Sequence, residues 1–165
     1  MRRALILLVM IPVAVAALTD RKPLTTEALQ SEVARLKADA DTATGEHCAE
    51  VCLQAAEQLA ELSNRNFTDG QIADAQANMA DAGKYAEKAA RESMRSRKRQ
   101  KKTEIGLRRL AARMKDIMRT LNFDDRFPVR QAMNAVEKAR TDLLASMFGN
   151  PKKSFEQPDN KKEKR

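Results

Sequence analysis

The sequence predicts an all-α fold, an elongated bundle of about four helices, and three observations lead to this prediction. The chain is rich in Ala, Leu, Met, Glu, Lys, Arg and Gln, which are the strong helix formers. No stretch alternates polar and apolar residues with the period of two that a strand would show. The chain has no Trp, one Tyr and five Phe, so alanine-lined helices would pack closely and bury a modest area.

The first seventeen residues have the organisation of a secretory signal peptide. Arg2 and Arg3 precede an apolar run, Ala4–Val15, and the small residues at 14–17 provide a cleavage site. A membrane-spanning helix needs roughly 20 apolar residues, and this run is shorter. We therefore expect export to the periplasm or beyond, in a bacterial cell. The alternative is an uncleaved leader that anchors the chain in the inner membrane.

The first two helices are predicted from their apolar stripes. Thr25 is the expected N-cap of a helix whose stripe is Leu29, Val33, Leu36 and Ala40. A second helix is predicted over 46–65. Its stripe comprises Cys48, Cys52, Ala55, Leu59 and Leu62. A turn should follow over 66–70.

The third predicted helix is unusually long and covers Gln71–Leu121. This segment contains no proline, and Gly83 and Gly106 are its only glycines. Steps of three and four residues from Ile72 trace an uncharged seam of the kind that coiled coils use. One continuous helix would be about 75 Å long at 1.5 Å per residue. The alternative is two helices with a break near Lys102 or Gly106.

A fourth helix is predicted over 127–148, with Pro128 in its first turn and Gly149 just past its end. It should fold back, antiparallel, on the second half of the long helix, while the first two helices cover the first half. The helical domain would span 18–150. The polar, charged residues Pro151–Arg165 should form a disordered tail.

A spacing of small and aromatic residues runs through Leu59, Gly70, Ala73, Ala77 and Tyr85. Over 57–88 it resembles the helical hairpin of the tetratricopeptide repeat, a unit of about 34 residues. The resemblance occurs once, and a solenoid needs at least three repeats to be stable. We interpret it as a similar way of packing two alanine-rich helices, and no family is recognised for the whole chain.

Charge is distributed unevenly along the sequence. Residues 18–90 carry 7 basic and 13 acidic side chains, whereas residues 91–119 carry 12 basic and 3 acidic ones. The densest basic segment is Arg91–Lys102, and its basic residues form a candidate polyanion-binding site: Arg91, Arg95, Arg97, Lys98, Arg99, Lys101 and Lys102. Envelope lipid, an acidic polysaccharide or the chain's own acidic half would each satisfy these charges. A solubilising helix face is the alternative.

The two cysteines form the one cluster with potential site chemistry. Cys48 and Cys52 are four residues apart, so they lie on one helix face with their Cβ atoms about 5–6 Å apart. A relaxed disulfide needs roughly 3.8 Å. Buried packing, a strained or intermolecular disulfide and a metal site all remain open, although the spacing matches no standard zinc motif.

We expect a protein that works by contact and not by catalysis. The sequence contains one His and no motif that is typical of catalysis, of cofactor binding or of binding a small-molecule substrate. The uncharged seam indicates a protein partner or self-association, with the long helix as a scaffold in the cell envelope. The alternative is binding of an anionic lipid or polyanion surface through Arg91–Lys102. Nucleic acid is not expected, because the chain is predicted to be exported and the basic segment lacks interleaved aromatic residues.

Overall fold

The computed structural model describes residues 25–149, and 88% of these residues are helical, with no strand among them. The five helices are α1 (Thr26–Thr42), α2 (Gly45–Thr68), α3 (Ile72–Ser96), α4 (Gln100–Thr120) and α5 (Arg126–Phe148). The all-α prediction is confirmed, but the part of the chain that is described has five helices instead of four. The predicted signal peptide and the predicted tail lie outside the described residues.

The first two helices follow their predicted stripes. The Thr25 side chain accepts a hydrogen bond from the Ala28 amide at 3.3 Å and caps α1 as expected. Helix α2 continues three residues beyond the predicted end, because Asn66 and Phe67 are buried on its inner face. Gly70, with φ 76°, makes the turn into α3, a conformation that favours glycine.

The prediction of one continuous third helix is wrong, because the chain reverses between α3 and α4. Arg97 and Arg99 adopt left-handed backbone conformations, with φ of 53° and 55°. The Ser93 hydroxyl donates a hydrogen bond to the Lys98 carbonyl at 3.0 Å and stabilises the turn. The alternative of two helices is confirmed: the break falls over 97–99, three residues before Lys102, while Gly106 lies inside α4.

Burial of the apolar half of α4 explains this reversal. In a straight rod, Leu107, Leu110 and Met114 would have only the last helix to pack against. In the folded-back arrangement α4 packs on both α2 and α5, and these three side chains are fully buried. The like charges crowded along 95–102 also disfavour a helix through this segment. The elongated rod is therefore replaced by a bundle.

Four of the helices form a closed bundle. Helix α2 packs on α3, α3 on α5, α5 on α4 and α4 on α2, while α1 packs on α2. The short turns make α3 parallel to α5 and α4 antiparallel to it, so the predicted antiparallel packing of the last helix is confirmed. Gly83 of α3 faces α5, and a Cβ atom there would lie 3.4 Å from the Ala132 Cα, which is an ordinary contact distance.

The core is rich in alanine, as the composition predicted, and it is continuous through all five helices. Its largest fully buried side chains are Leu29, Leu59, Met79, Leu107, Leu110, Met114 and Leu143. Within residues 25–149 no helix is both long and apolar enough to cross a membrane.

Candidate anion-binding surface and buried thiol pair

The predicted basic segment spans the last part of α3, the α3–α4 turn and the first turn of α4. Three of its seven cations pair with acids of α2. Arg99 lies 2.9 Å from Glu50 and 3.7 Å from Glu46, Lys102 lies 2.6 Å from Glu50, and Lys98 lies 3.3 Å from Glu46. Part of the basic segment is therefore neutralised by the chain's own acidic half.

Glu50 is the centre of this intramolecular contact. The hydrogen bond from Lys102 holds the pKa of its carboxyl below the ordinary value, against the opposite effect of partial burial. The nearby charge of Arg99 acts in the same direction as Lys102. These contacts fasten the α3–α4 turn to α2.

The remaining four cations of the segment do not form one patch. Arg95 pairs with Glu92 on its own helix at 2.7 Å. Arg91, Arg97 and Lys101 are exposed and have no ion pair with any residue in the described range. Arg91 lies in α3 beside Lys138 and Asp142 of α5, whereas Lys101 belongs to α4.

The sequence interpretation missed a basic stripe along the outer face of α4. Lys101, Arg108 and Lys115 recur every seven residues, which places them on one line of the helix. All three are exposed, and none has an ion-pair partner between residues 25 and 149. The seven-residue spacing was visible in the sequence. That these three residues form an exposed stripe could be inferred only once α4 was known to be a separate helix with this side facing outward.

Another set of charges on α4 points toward α2. Arg113 pairs with Glu61, in parallel with the pairing of Lys102 to Glu50. Between these pairs the two helices border a groove of about 620 Å³ that includes Glu57 and Arg109. Burial raises the pKa of Glu57, and the attraction of Arg109 and Arg113 only partly opposes this rise.

The close approach of α2 and α4 depends on Gly106. A Cβ atom at this position would overlap the Leu53 side chain. The groove is therefore narrow where the two helices touch, and a larger residue at 106 would require Leu53 to move.

Cys48 and Cys52 are buried between α1, α2 and α3. Their exposed fractions are 1% and 0%, and their sulfur atoms lie 3.7 Å apart as free thiols. The Cys48 Sγ also lies 3.8 Å from the Ala40 carbonyl. Burial and, to a smaller extent, the contact with Cys48 raise the pKa of the Cys52 thiol to about 12. A thiol with such a pKa is a poor nucleophile at neutral pH.

The surroundings of the thiol pair are mostly apolar. Lys88 of α3 donates a hydrogen bond to the same Ala40 carbonyl at 2.8 Å, near the end of α1. No group of three or more His, Cys, Asp or Glu residues with the geometry of a metal site occurs within residues 25–149. The adjacent His47 is exposed, so it points away from the thiols.

No family model, no curated protein and no solved structure matches this chain.

Proposed function

We propose that this protein is an exported, non-catalytic binding module of the cell envelope that acts by contact with an anionic partner. The observation that carries the proposal is the stripe of Lys101, Arg108 and Lys115 on α4. These cations lack ion pairs within residues 25–149, although the surrounding helices carry many acids. Like charges on one helix face repel each other, and an anionic partner would relieve that repulsion.

The length of the stripe indicates the kind of partner. Lys101 and Lys115 are fourteen residues apart in sequence, which is about 21 Å along the helix axis. A surface or chain with repeated negative charges can contact all three cations at once, whereas a single small anion cannot. The α3–α4 turn would add Arg97, which is also exposed.

The test compares two charge-reversal variants of the full chain. One carries Lys101→Glu, Arg108→Glu and Lys115→Glu, and the control carries Arg35→Glu on α1, Lys84→Glu on α3 and Lys138→Glu on the side of α5 that borders α3. Both variants change the net charge equally. Their binding to long-chain polyphosphate and to phosphatidylglycerol vesicles is measured at several salt concentrations.

The expected result is that reversal on α4 removes binding to at least one of these anions while the control retains it. Binding should also weaken as salt is raised, because screening shortens the range of the attraction. Equal binding by both variants, or no binding of the unaltered chain to either anion, would contradict the proposal.

A protein partner or self-association is the second candidate function. Its original support, an uncovered seam on a 75 Å helix, is removed because α2 and α5 cover the seam residues of α4. The observation that now favours it is Phe123 in the α4–α5 turn, which is 80% exposed. Light scattering over a range of concentrations tests it: a dimer that Phe123→Ser converts to a monomer would support self-association.

A further inference from the structure

Helices α4 and α5 share one outer side of the bundle, and the ion pairs of Arg140 show which residues lie on it. Its guanidinium on α5 pairs with Glu104 of α4 at 2.8 Å and with Glu137 of α5 at 3.6 Å. Residues spaced by helical turns from these two acids lie on the same side. We name this side the α4–α5 face. It consists of Lys101, Arg108 and Lys115 on α4 and of Arg130 and Phe148 on α5, while Phe127, about 80° around α5 from Glu137, lies at its edge.

The α4–α5 face carries uncompensated positive charge. Arg130 of α5 is exposed and, like the three cations of α4, has no ion pair within the described part of the chain. Asp116 pairs with Arg119 and Glu137 pairs with Arg140, whereas the exposed Asp124 in the α4–α5 turn has no ion pair within residues 25–149. The excess positive charge therefore comes from both helices, and it extends across the α4–α5 face beyond the stripe on α4.

One exposed aromatic side chain lies on this face, and a second lies at its edge near the opposite end of α5. Phe127 is 62% exposed in the first turn of α5, and Phe148 is 78% exposed in its last turn. The 21 helical steps from Phe127 to Phe148 span about 32 Å along the helix axis. Phe123, which is 80% exposed, lies close to the Phe127 end in the preceding turn. Asp124 and Asp125 in that turn are the acidic residues of this end.

We propose that the α4–α5 face docks on an anionic phospholipid bilayer, with its cations on the headgroups and both phenylalanine rings in the interfacial layer. This inference rests on the proposed function and names its partner. Lysine and arginine are attracted to anionic lipid headgroups, and exposed aromatic rings favour the membrane interface. A linear polyanion such as polyphosphate would satisfy the cations but would gain nothing from rings about 32 Å apart.

The position of α1 fits this orientation. Helix α1 packs on α2, and Lys37 of α1 pairs with Asp81 of α3 at 2.7 Å. In the bundle, the α2–α3 side is opposite the α4–α5 side. A bilayer under the α4–α5 face would therefore meet no obstruction from α1.

The experiment uses tryptophan as a reporter, since the chain contains none. Three full-length variants each carry one substitution: Phe127→Trp, Phe148→Trp, or Ala38→Trp on the exposed side of α1 as the control. Emission is recorded with phosphatidylglycerol vesicles, with phosphatidylcholine vesicles and with polyphosphate. All variants retain the same N-terminal segment, so any affinity of that segment for vesicles is common to every sample.

With phosphatidylglycerol vesicles, emission from positions 127 and 148 should move to shorter wavelength and emission from position 38 should not. Polyphosphate should leave all three unchanged. In a separate sedimentation assay, Phe127→Ser combined with Phe148→Ser should weaken vesicle binding about tenfold or more, because two apolar contacts are lost. The same pair should leave polyphosphate binding unchanged.

Polyphosphate binding without a wavelength shift on vesicles would overturn the bilayer proposal and leave the anionic-partner proposal standing. Failure to bind either anion would overturn both. Equal shifts at positions 38, 127 and 148 would also overturn the inference, because they would show that the α4–α5 face is not the contact surface.

Discussion

Replacement of Arg97 by glycine tests the α3–α4 turn, because the turn and a continuous helix predict opposite changes in stability. Glycine should stabilise the turn and destabilise a continuous helix. Arg97 has φ 53° and ψ 19°, is exposed, and makes no ion pair within the described residues. In this left-handed conformation a Cβ atom is strained, and glycine removes that strain. In a continuous helix the same substitution would instead introduce the most flexible residue into the interior of a helix.

The size of the effect follows from two opposing contributions. The left-handed conformation costs a residue other than glycine about 1–2 kcal/mol. The extra freedom of glycine in the unfolded chain takes back about 0.5–1 kcal/mol. We therefore expect Arg97→Gly to increase the free energy of unfolding by about 0.5–1 kcal/mol, which raises Tm by about 2–4 °C in a domain of this size.

Thermal and urea unfolding followed by circular dichroism would measure this difference. Arg97→Ala is the matched control, because it removes the same side chain but keeps the Cβ atom and should gain nothing. Arg99→Gly should gain less than Arg97→Gly, since it also loses the pairs with Glu46 and Glu50, worth less than about 1 kcal/mol at this exposure. If Arg97→Gly were less stable than Arg97→Ala by about 1 kcal/mol, the turn would be refuted, because glycine has that cost in a helix interior.

Three further predictions test the interior of the bundle. Glu57→Gln should stabilise the protein at pH 7, because burial raises the pKa of Glu57. A raised carboxyl pKa lowers stability as pH rises above about 4.3, so the difference should vanish in acid, and urea unfolding at pH 3.5 and 7 checks this. Gly83→Ala should raise the free energy of unfolding by up to about 1 kcal/mol through helix propensity, since its Cβ would meet Ala132 at ordinary contact distance. Gly106→Ala should raise it less, because its Cβ would overlap Leu53. A lower Tm for Gly83→Ala than for the unaltered protein would contradict the α3–α5 packing. The thiols of Cys48 and Cys52 should react with iodoacetamide slowly in the native protein and fast in urea, and rapid native labelling or a disulfide detected by mass spectrometry would contradict their burial as free thiols.

The candidate binding surface could be predicted only in part. The sequence shows where the basic residues are concentrated, and it raised the acidic half of the chain as one possible partner for them. It does not show that Glu46 and Glu50 take up Lys98, Arg99 and Lys102, because that pairing requires α2 to lie beside the start of α4. The cations left over, and with them the α4–α5 face, follow from that placement.

The sequence by itself determined the helical character of the chain and the inner face of each helix. The apolar stripe of α1, the cap at Thr25 and the end of α5 at Gly149 are local properties, set by the helical period and by backbone geometry over a few residues. The tertiary structure alone decided where the chain reverses. The uncharged seam keeps its helical period through Ser93, Ser96 and Thr103. One long helix and two helices that face the same core would both show this period, so the period cannot distinguish them. The choice between them depends on the burial of Leu107, Leu110 and Met114 against α2 and α5, and that burial exists only once distant parts of the chain are packed together.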